Sequence, residues 1–202
     1  MTRERAIEQI NSSLHTGAEL RITIARQCSA AIFEAARLIN MCLREGGKLL
    51  FFGNGGSAAD AQHLAAEFVG RFVRERAGLP AIALTTDSSI LTAVGNDYGF
   101  EQIFARQIQA LGRPGDVAIA ISTSGNSPNV IEGVKAAKRG NLKTIGLSGK
   151  DGGLLAKEAD IAITIASTNT ARIQECHIAV GHLLCELTEE GLDEALRELK
   201  GT

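Results

Sequence analysis

Apolar residues recur along the chain in two rhythms. From about Ile7 to Glu45, Leu20, Ile24, Cys28, Ile32, Ala35, Leu38 and Cys42 return every three or four positions until Gly46-Gly47 interrupts them, which is the period of an amphipathic helix. Gly17 predicts a break within this stretch, and so two helices. Beyond Gly47 the rhythm changes to short, nearly continuous apolar runs: KLLFF (Lys48 to Phe52), AIALT (Ala81 to Thr85), VAIAI (Val117 to Ile121), KTIGL (Lys143 to Leu147) and IAITI (Ile161 to Ile165). Runs of this kind predict strands buried on both faces, as in a parallel sheet. Helical segments fall between them, notably Ser57 to Val69, Phe100 to Leu111 and Pro128 to Arg139, and a last helix runs from about Thr170 to Glu190 or beyond. The alternation predicts an α/β fold, a doubly wound sheet of five parallel strands with a helical N-terminal arm. Right-handed crossovers then put the functional loops at the carboxyl ends of the strands. One domain over residues 1–202 is expected, with the arm over 1–46 and the α/β core and C-terminal helix over 47–202.

Composition narrows the class. With 45% hydrophobic residues among 202 the chain is long enough to bury a sizeable core. Lys and Arg total 21 against 23 Asp and Glu, so no basic excess points to a nucleic-acid partner. The first residues, MTRERAIEQINSS, carry charges where a signal peptide needs an apolar core, and no segment approaches ~20 uninterrupted apolar residues. A cytoplasmic location without a membrane partner is expected. Cys28, Cys42, Cys176 and Cys185 form no C-x-x-C pair and read as buried reduced thiols.

Two glycine- and serine-rich turns, each after a predicted strand and before a predicted helix, are the first candidates for chemistry. In ISTSGNSPN, Ile121 to Asn129, Ser122, Thr123, Ser124 and Ser127 offer four hydroxyls, and Ser127-Pro128 has the N-cap and N1-proline order that starts a helix. Backbone N–H groups and the positive end of the helix dipole would converge there, which suits a phosphate. The earlier turn, GNGGSAAD, lacks the G-K-[ST] ending of a nucleotide P-loop. Gly53-x-Gly55-x-x-Ala58 matches a loose dinucleotide fingerprint, but the acidic residue expected about 20 positions on should close the next strand, and Asp87, which follows AIALTT, lies 34 positions from Gly53. Ser57 with Asp60 reads as a capping pair that needs no ligand.

His63 and Glu67 share one helix face. Gln174 and His182, two turns apart on the last helix, can face one cleft, so four polar groups can converge from two helices. Zinc accepts His nitrogen and Glu oxygen readily and an amide oxygen less so, and a site is suggested without being specified. His15 and His177 read as exposed or structural.

The segments GNGGSAADAQHLAAE, PAIALTTDSS, GNDYGF, GDVAIAISTSGNSPNVI, GLSGKDGG and ARIQECHIAVGH span Gly53 to His182. In that order they resemble the sugar isomerase (SIS) family, and within it the phosphoheptose isomerases. The resemblance implies a flavodoxin-like sheet order, a homotetramer and one zinc ion per subunit held by His63, Glu67, Gln174 and His182. It also implies sugar-phosphate contacts from Asn54, Gly55, Gly56, Glu67, Asn96, Asp97, Ser122, Thr123, Ser124, Ser127 and Gln174. The implied reaction is an aldose–ketose exchange on sedoheptulose 7-phosphate, the first step of ADP-heptose supply for lipopolysaccharide. Glu67 is the candidate base and His182 the candidate acid. A non-catalytic SIS protein that binds the replication initiator is the alternative, as is a sugar-phosphate sensor. The initiator-binding relatives lack the residues that stand here as Glu67 and His182, which favours the enzyme.

Overall fold

The computed structural model describes the chain through residue 200, with side chains described through Asp193; the last two positions of the expected 1–202 domain lie outside the described residues. The strands are β1 (Leu49–Gly53), β2 (Ala81–Ala83), β3 (Val117–Ser122), β4 (Lys143–Gly149) and β5 (Ile161–Ile165). They form one wholly parallel sheet in the order β2-β1-β3-β4-β5. The helices are α1 (Arg3–Gln27), α2 (Ser29–Arg44), α3 (Gly56–Val69), α4 (Ser88–Tyr98), α5 (Ile103–Leu111), α6 (Pro128–Arg139), α7 (Gly153–Glu158) and α8 (Thr170–Lys200).

The strand runs fold as they do because both of their faces are covered. β1 and β3 are buried at every position. Alternate side chains feed two cores. Leu49, Phe51, Val117, Ile119 and Ile121 pack with α1, α2, α3 and α8, while Leu50, Phe52, Ala118 and Ala120 pack with α5 and α6. Phe51 meets Phe68 of α3 at 5.8 Å between ring centroids, and Phe52 meets Phe104 of α5 at 5.3 Å. Each buried phenyl contributes roughly 1.5–3 kcal/mol of transfer free energy, so β1 is the strand that ties the layers together.

Several expectations need correction. Gly17 does not break the arm: α1 runs through it, where the glycine lies beside Arg172 and Glu175 of α8. The interruption comes instead at Cys28, whose backbone stays near helical with φ −112°. An interior glycine costs only about 1 kcal/mol of helix propensity, which packing against α8 offsets. The Ser57–Asp60 capping pair is absent: the N-cap of α3 is Gly55, at φ 56° and without a side-chain cap. Asp60 is partly buried, with Oδ2 unpartnered among the described residues. The segment at Phe100 opens as a 3₁₀ turn, Phe100–Gln102, before α5 begins.

All four cysteines are buried and free. Burial pushes the Cys42 thiol up to about 11 and the Cys185 thiol up to about 12, so they are inert packing groups. Among the described residues, no helix is long and apolar enough to cross a membrane.

Candidate active site

The chain leaves β1 toward α3 on one face of the sheet and leaves β3 toward α6 on the other. These two strands are neighbours, so their carboxyl ends splay apart into a crevice, the place where ligands bind in open α/β sheets. Both candidate turns open onto it. They are tied together by a reciprocal amide pair: Asn54 Nδ2 donates to Asn129 Oδ1 and Asn129 Nδ2 to Asn54 Oδ1, each at 2.8 Å. Asn129 is buried and bridges 75 positions of sequence; nothing in the local pattern marks it.

On the β3 side the hydroxyls gather. Ser122 Oγ lies 3.3 Å from Ser124 Oγ and 3.0 Å from Ser127 Oγ. Ser127 holds the N-cap position of α6 but makes no side-chain cap, and Pro128 is at N1. Its hydroxyl turns inward, and the first-turn N–H groups of Asn129 and Val130, which no carbonyl of the same helix can reach, face the hollow end of the helix. Gly125 closes the turn with φ 66°, and a side chain there would run into the Gly152 carbonyl. Asn126 Oδ1 accepts from Leu154 N at 3.0 Å, so the first turn of α7 holds the cradle in place. Thr123 is half-buried in the same turn.

On the other side, α3 and α8 run alongside each other in the same direction. The Gln174 amide covers Gly56, Gly181 packs on Leu64, and His182 meets His63. His63 Nε2 lies 2.9 Å from His182 Nε2 and 3.4 Å from Glu67 Oε1. His63, Glu67 and His182 are therefore brought together, a convergence that the residue spacing allows and the packing of α3 on α8 brings about. The Gln174 amide lies over Gly56 at the start of α3, seven residues before His63. Asn96 and Asp97 stand at the exposed end of α4, where Asn96 Nδ2 donates to Asp97 Oδ1 at 2.8 Å.

Two ring nitrogens and a carboxylate oxygen are the donor types that zinc prefers. The rings stand on each other: two imidazole nitrogens sharing one tetrahedral ion at ~2.05 Å would be about 3.3 Å apart, against the 2.9 Å seen. In this arrangement no three His, Cys, Asp or Glu among the described residues are set to hold an ion. The donor set fits zinc by kind.

His177 behaves as expected of a structural histidine. It is buried, with its Nε2 3.0 Å from the Ser148 carbonyl oxygen, and burial lowers its pKa to about 4. A hollow of about 550 Å³ at the opposite end of the strands has Lys48, Arg113 and Asp116 on its wall. Asp116 is already engaged by Lys48 Nζ at 2.6 Å, Lys48 N at 2.9 Å and Arg113 N at 2.8 Å, a fold-sustaining arrangement away from the crevice.

Residues 14–149 match the SIS domain family. A phosphoheptose isomerase of Rhodospirillum rubrum is 55% identical over 185 residues, which is 92% of this chain and 98% of that protein. One of Aquifex aeolicus is 54% identical over 91% of this chain and 96% of its own. The structure of phosphoheptose isomerase GmhA from Neisseria gonorrhoeae aligns with a TM-score of 0.87 at 44% identity, covering 92% of this chain and 99% of that one. That of Francisella tularensis aligns with a TM-score of 0.89 at 41% identity over 94% and 100%. The chain belongs to the SIS domain family and, within it, to the phosphoheptose isomerases.

Proposed function

We propose that the protein converts sedoheptulose 7-phosphate into D-glycero-D-manno-heptose 7-phosphate through an enediol, as the first step of ADP-heptose supply for lipopolysaccharide. The observation that carries this reading is the crevice itself. A hydroxyl cradle at the start of α6 opens onto it, a carboxylate and two imidazoles gather on α3 and α8, and the relatives at 55% and 54% identity are phosphoheptose isomerases.

Ser122, Thr123, Ser124 and Ser127, with the N–H groups at the α6 terminus, bind the phosphate by directed hydrogen bonds. The cradle contains no Lys or Arg, so it fixes orientation more than it supplies charge. Asn54, Gly55 and Gly56 in the first turn, Asn96 and Asp97 at the end of α4, and Gln174 above Gly56 contact the sugar. Glu67 removes a proton from C1 of the ketose, leaving an enediolate. His182 donates to O2 and accepts from O1, and Glu67 returns the proton to C2 to give the aldose. One carboxylate serving both carbons needs no second base.

His63, Glu67 and His182, with Gln174 as the fourth donor of the set the family resemblance implies, would hold one zinc ion per subunit. When bound, it would polarise the substrate carbonyl and offset the charge of the enediolate. A homotetramer in the cytoplasm completes the proposal. The arm offers a surface for assembly, since Ile7, Ile10, Leu14 and Ile22 of α1 and Phe33 and Met41 of α2 are exposed. The direct test is product analysis by NMR after incubation with sedoheptulose 7-phosphate. The aldose 7-phosphate is expected; unchanged ketose with active controls would overturn the assignment.

A further inference from the structure

Glu189, on α8, is 3% exposed and yet carries a carboxylate. Its Oε1 accepts from Phe72 N at 2.9 Å and its Oε2 from Val73 N at 3.0 Å and Arg74 N at 2.9 Å. Arg76 Nε completes the set at 2.9 Å from Oε1. Burial alone would raise its pKa, but these donors outweigh burial and hold it below the ordinary glutamate value. A buried charge so fully engaged fixes geometry more surely than it adds stability.

The other half of the arrangement is Arg76, which spends its remaining donors on the end of α3. Nη2 donates to the Glu67 carbonyl at 2.9 Å, and Nη1 donates to the Phe68 carbonyl at 2.8 Å and the Gly70 carbonyl at 3.1 Å. A planar guanidinium is suited to this, because its fork of five N–H groups holds a fixed shape. It also closes the carbonyl end of a helix, where a positive charge is favoured. The segment between carries Phe72, whose ring lies 5.3 Å from the His182 ring. Glu189 is seven residues beyond His182, two helical turns along the same face of α8.

We propose that the Glu189–Arg76 pair is a brace that sets the separation of Glu67 on α3 from His182 on α8, making both positioning residues for the proton transfers. The pair touches the backbone of Glu67 itself and shapes the segment that places Phe72 on His182. It lies away from the phosphate cradle on β3 and α6. Its loss therefore affects turnover while leaving sugar-phosphate binding in place. The inference rests on the isomerase reading above, in which Glu67 and His182 move protons.

The test uses the full-length protein carrying Glu189→Gln or Arg76→Lys, at a temperature where circular dichroism shows each variant folded. The amide keeps the shape of Glu189 but turns donors toward donors, and the lysine keeps the charge of Arg76 but cannot reach both Glu189 and the α3 carbonyls. Displacements near 1 Å cost catalysis about a hundredfold, so kcat is expected to fall about 10- to 100-fold while the Kd for sedoheptulose 7-phosphate, measured by calorimetry, changes by less than about two-fold. A folded variant of either kind with kcat within about two-fold of wild type overturns the brace. If Glu189→Gln does not fold, Arg76→Lys decides alone. A wild-type protein that binds the sugar phosphate without turnover would instead overturn the isomerase reading, so the two failures are distinguishable.

Discussion

At the scale of single residues, the hydroxyl cradle separates binding from chemistry most cleanly. Ser124 Oγ accepts from Asn126 N at 3.1 Å and lies beside Ser122, so its hydroxyl both shapes the turn and points at the proposed phosphate. Ser124→Ala is expected to raise KM. It should also lower kcat, because in the proposed reaction phosphate binding aligns C1 and C2 beside Glu67. Steady-state kinetics read both parameters, and an unchanged KM would remove Ser124 from the cradle. These hydroxyls were legible in the sequence because they sit within six consecutive positions after a buried strand. Asn129, Arg76 and Glu189 were not, since their partners lie 75 and 113 positions away and only the folded chain brings them together. Asp60 misled for a related reason: its spacing from Ser57 imitates a capping box, whereas the turn into α3 is closed by Gly55 in a backbone conformation that glycine adopts freely.

Elements make the metal proposal testable, because the donors come from two helices held side by side. His63 belongs to α3 and His182 to α8, and each contributes one nitrogen to the 2.9 Å contact. Replacing either with alanine leaves one helix without its imidazole donor, so both His63→Ala and His182→Ala are expected to lower zinc content from about one ion per subunit. Elemental analysis of protein purified without chelator checks this; no metal in the wild type, with full activity in chelator, would contradict it. The strands that position these helices were readable from continuous apolar runs, and IAITI and Pro128–Arg139 were located to the residue. α4 and α7 left no such trace. α4 fully buries none of its residues and packs only Leu91 and Val94 against the core, too short an apolar stripe to stand out, and α7 has only six residues, too few to display a helical period.

For the molecule as a whole, a buried histidine that takes no part in the proposed chemistry contributes to the pH dependence of stability. Burial holds His177 at about 4 in the folded chain, against an ordinary value of 6.5. Above pH 6.5 it is neutral in both states and has no effect. As pH falls from 6.5 towards 4 the unfolded chain takes up a proton that the folded one refuses, so stability declines. The decline from this group amounts to about 3 kcal/mol and levels off below pH 4. Urea midpoints measured across that window should fall less steeply for His177→Gln than for wild type; parallel curves would contradict the assignment. The fold class and the parallel sheet follow from the order of apolar runs, because a parallel sheet must bury both faces; the crevice between β1 and β3 follows only from the strand order of the folded chain. The partnership of α3 with α8 does not follow from local pattern, since it depends on Gly181 admitting Leu64 and on the Gln174 amide lying over Gly56.

The central claim, that Glu67 carries one proton between C1 and C2 of a phosphorylated ketose, is tested most directly by isotope exchange in deuterated water. Wild-type protein incubated with sedoheptulose 7-phosphate is expected to exchange hydrogen at C1 and to form the aldose. Glu67→Gln is expected to bind the sugar phosphate yet lose about 10²- to 10⁴-fold in both exchange and turnover, the range typical of a general acid–base group. Exchange and aldose formation by Glu67→Gln at near wild-type rates would contradict the account.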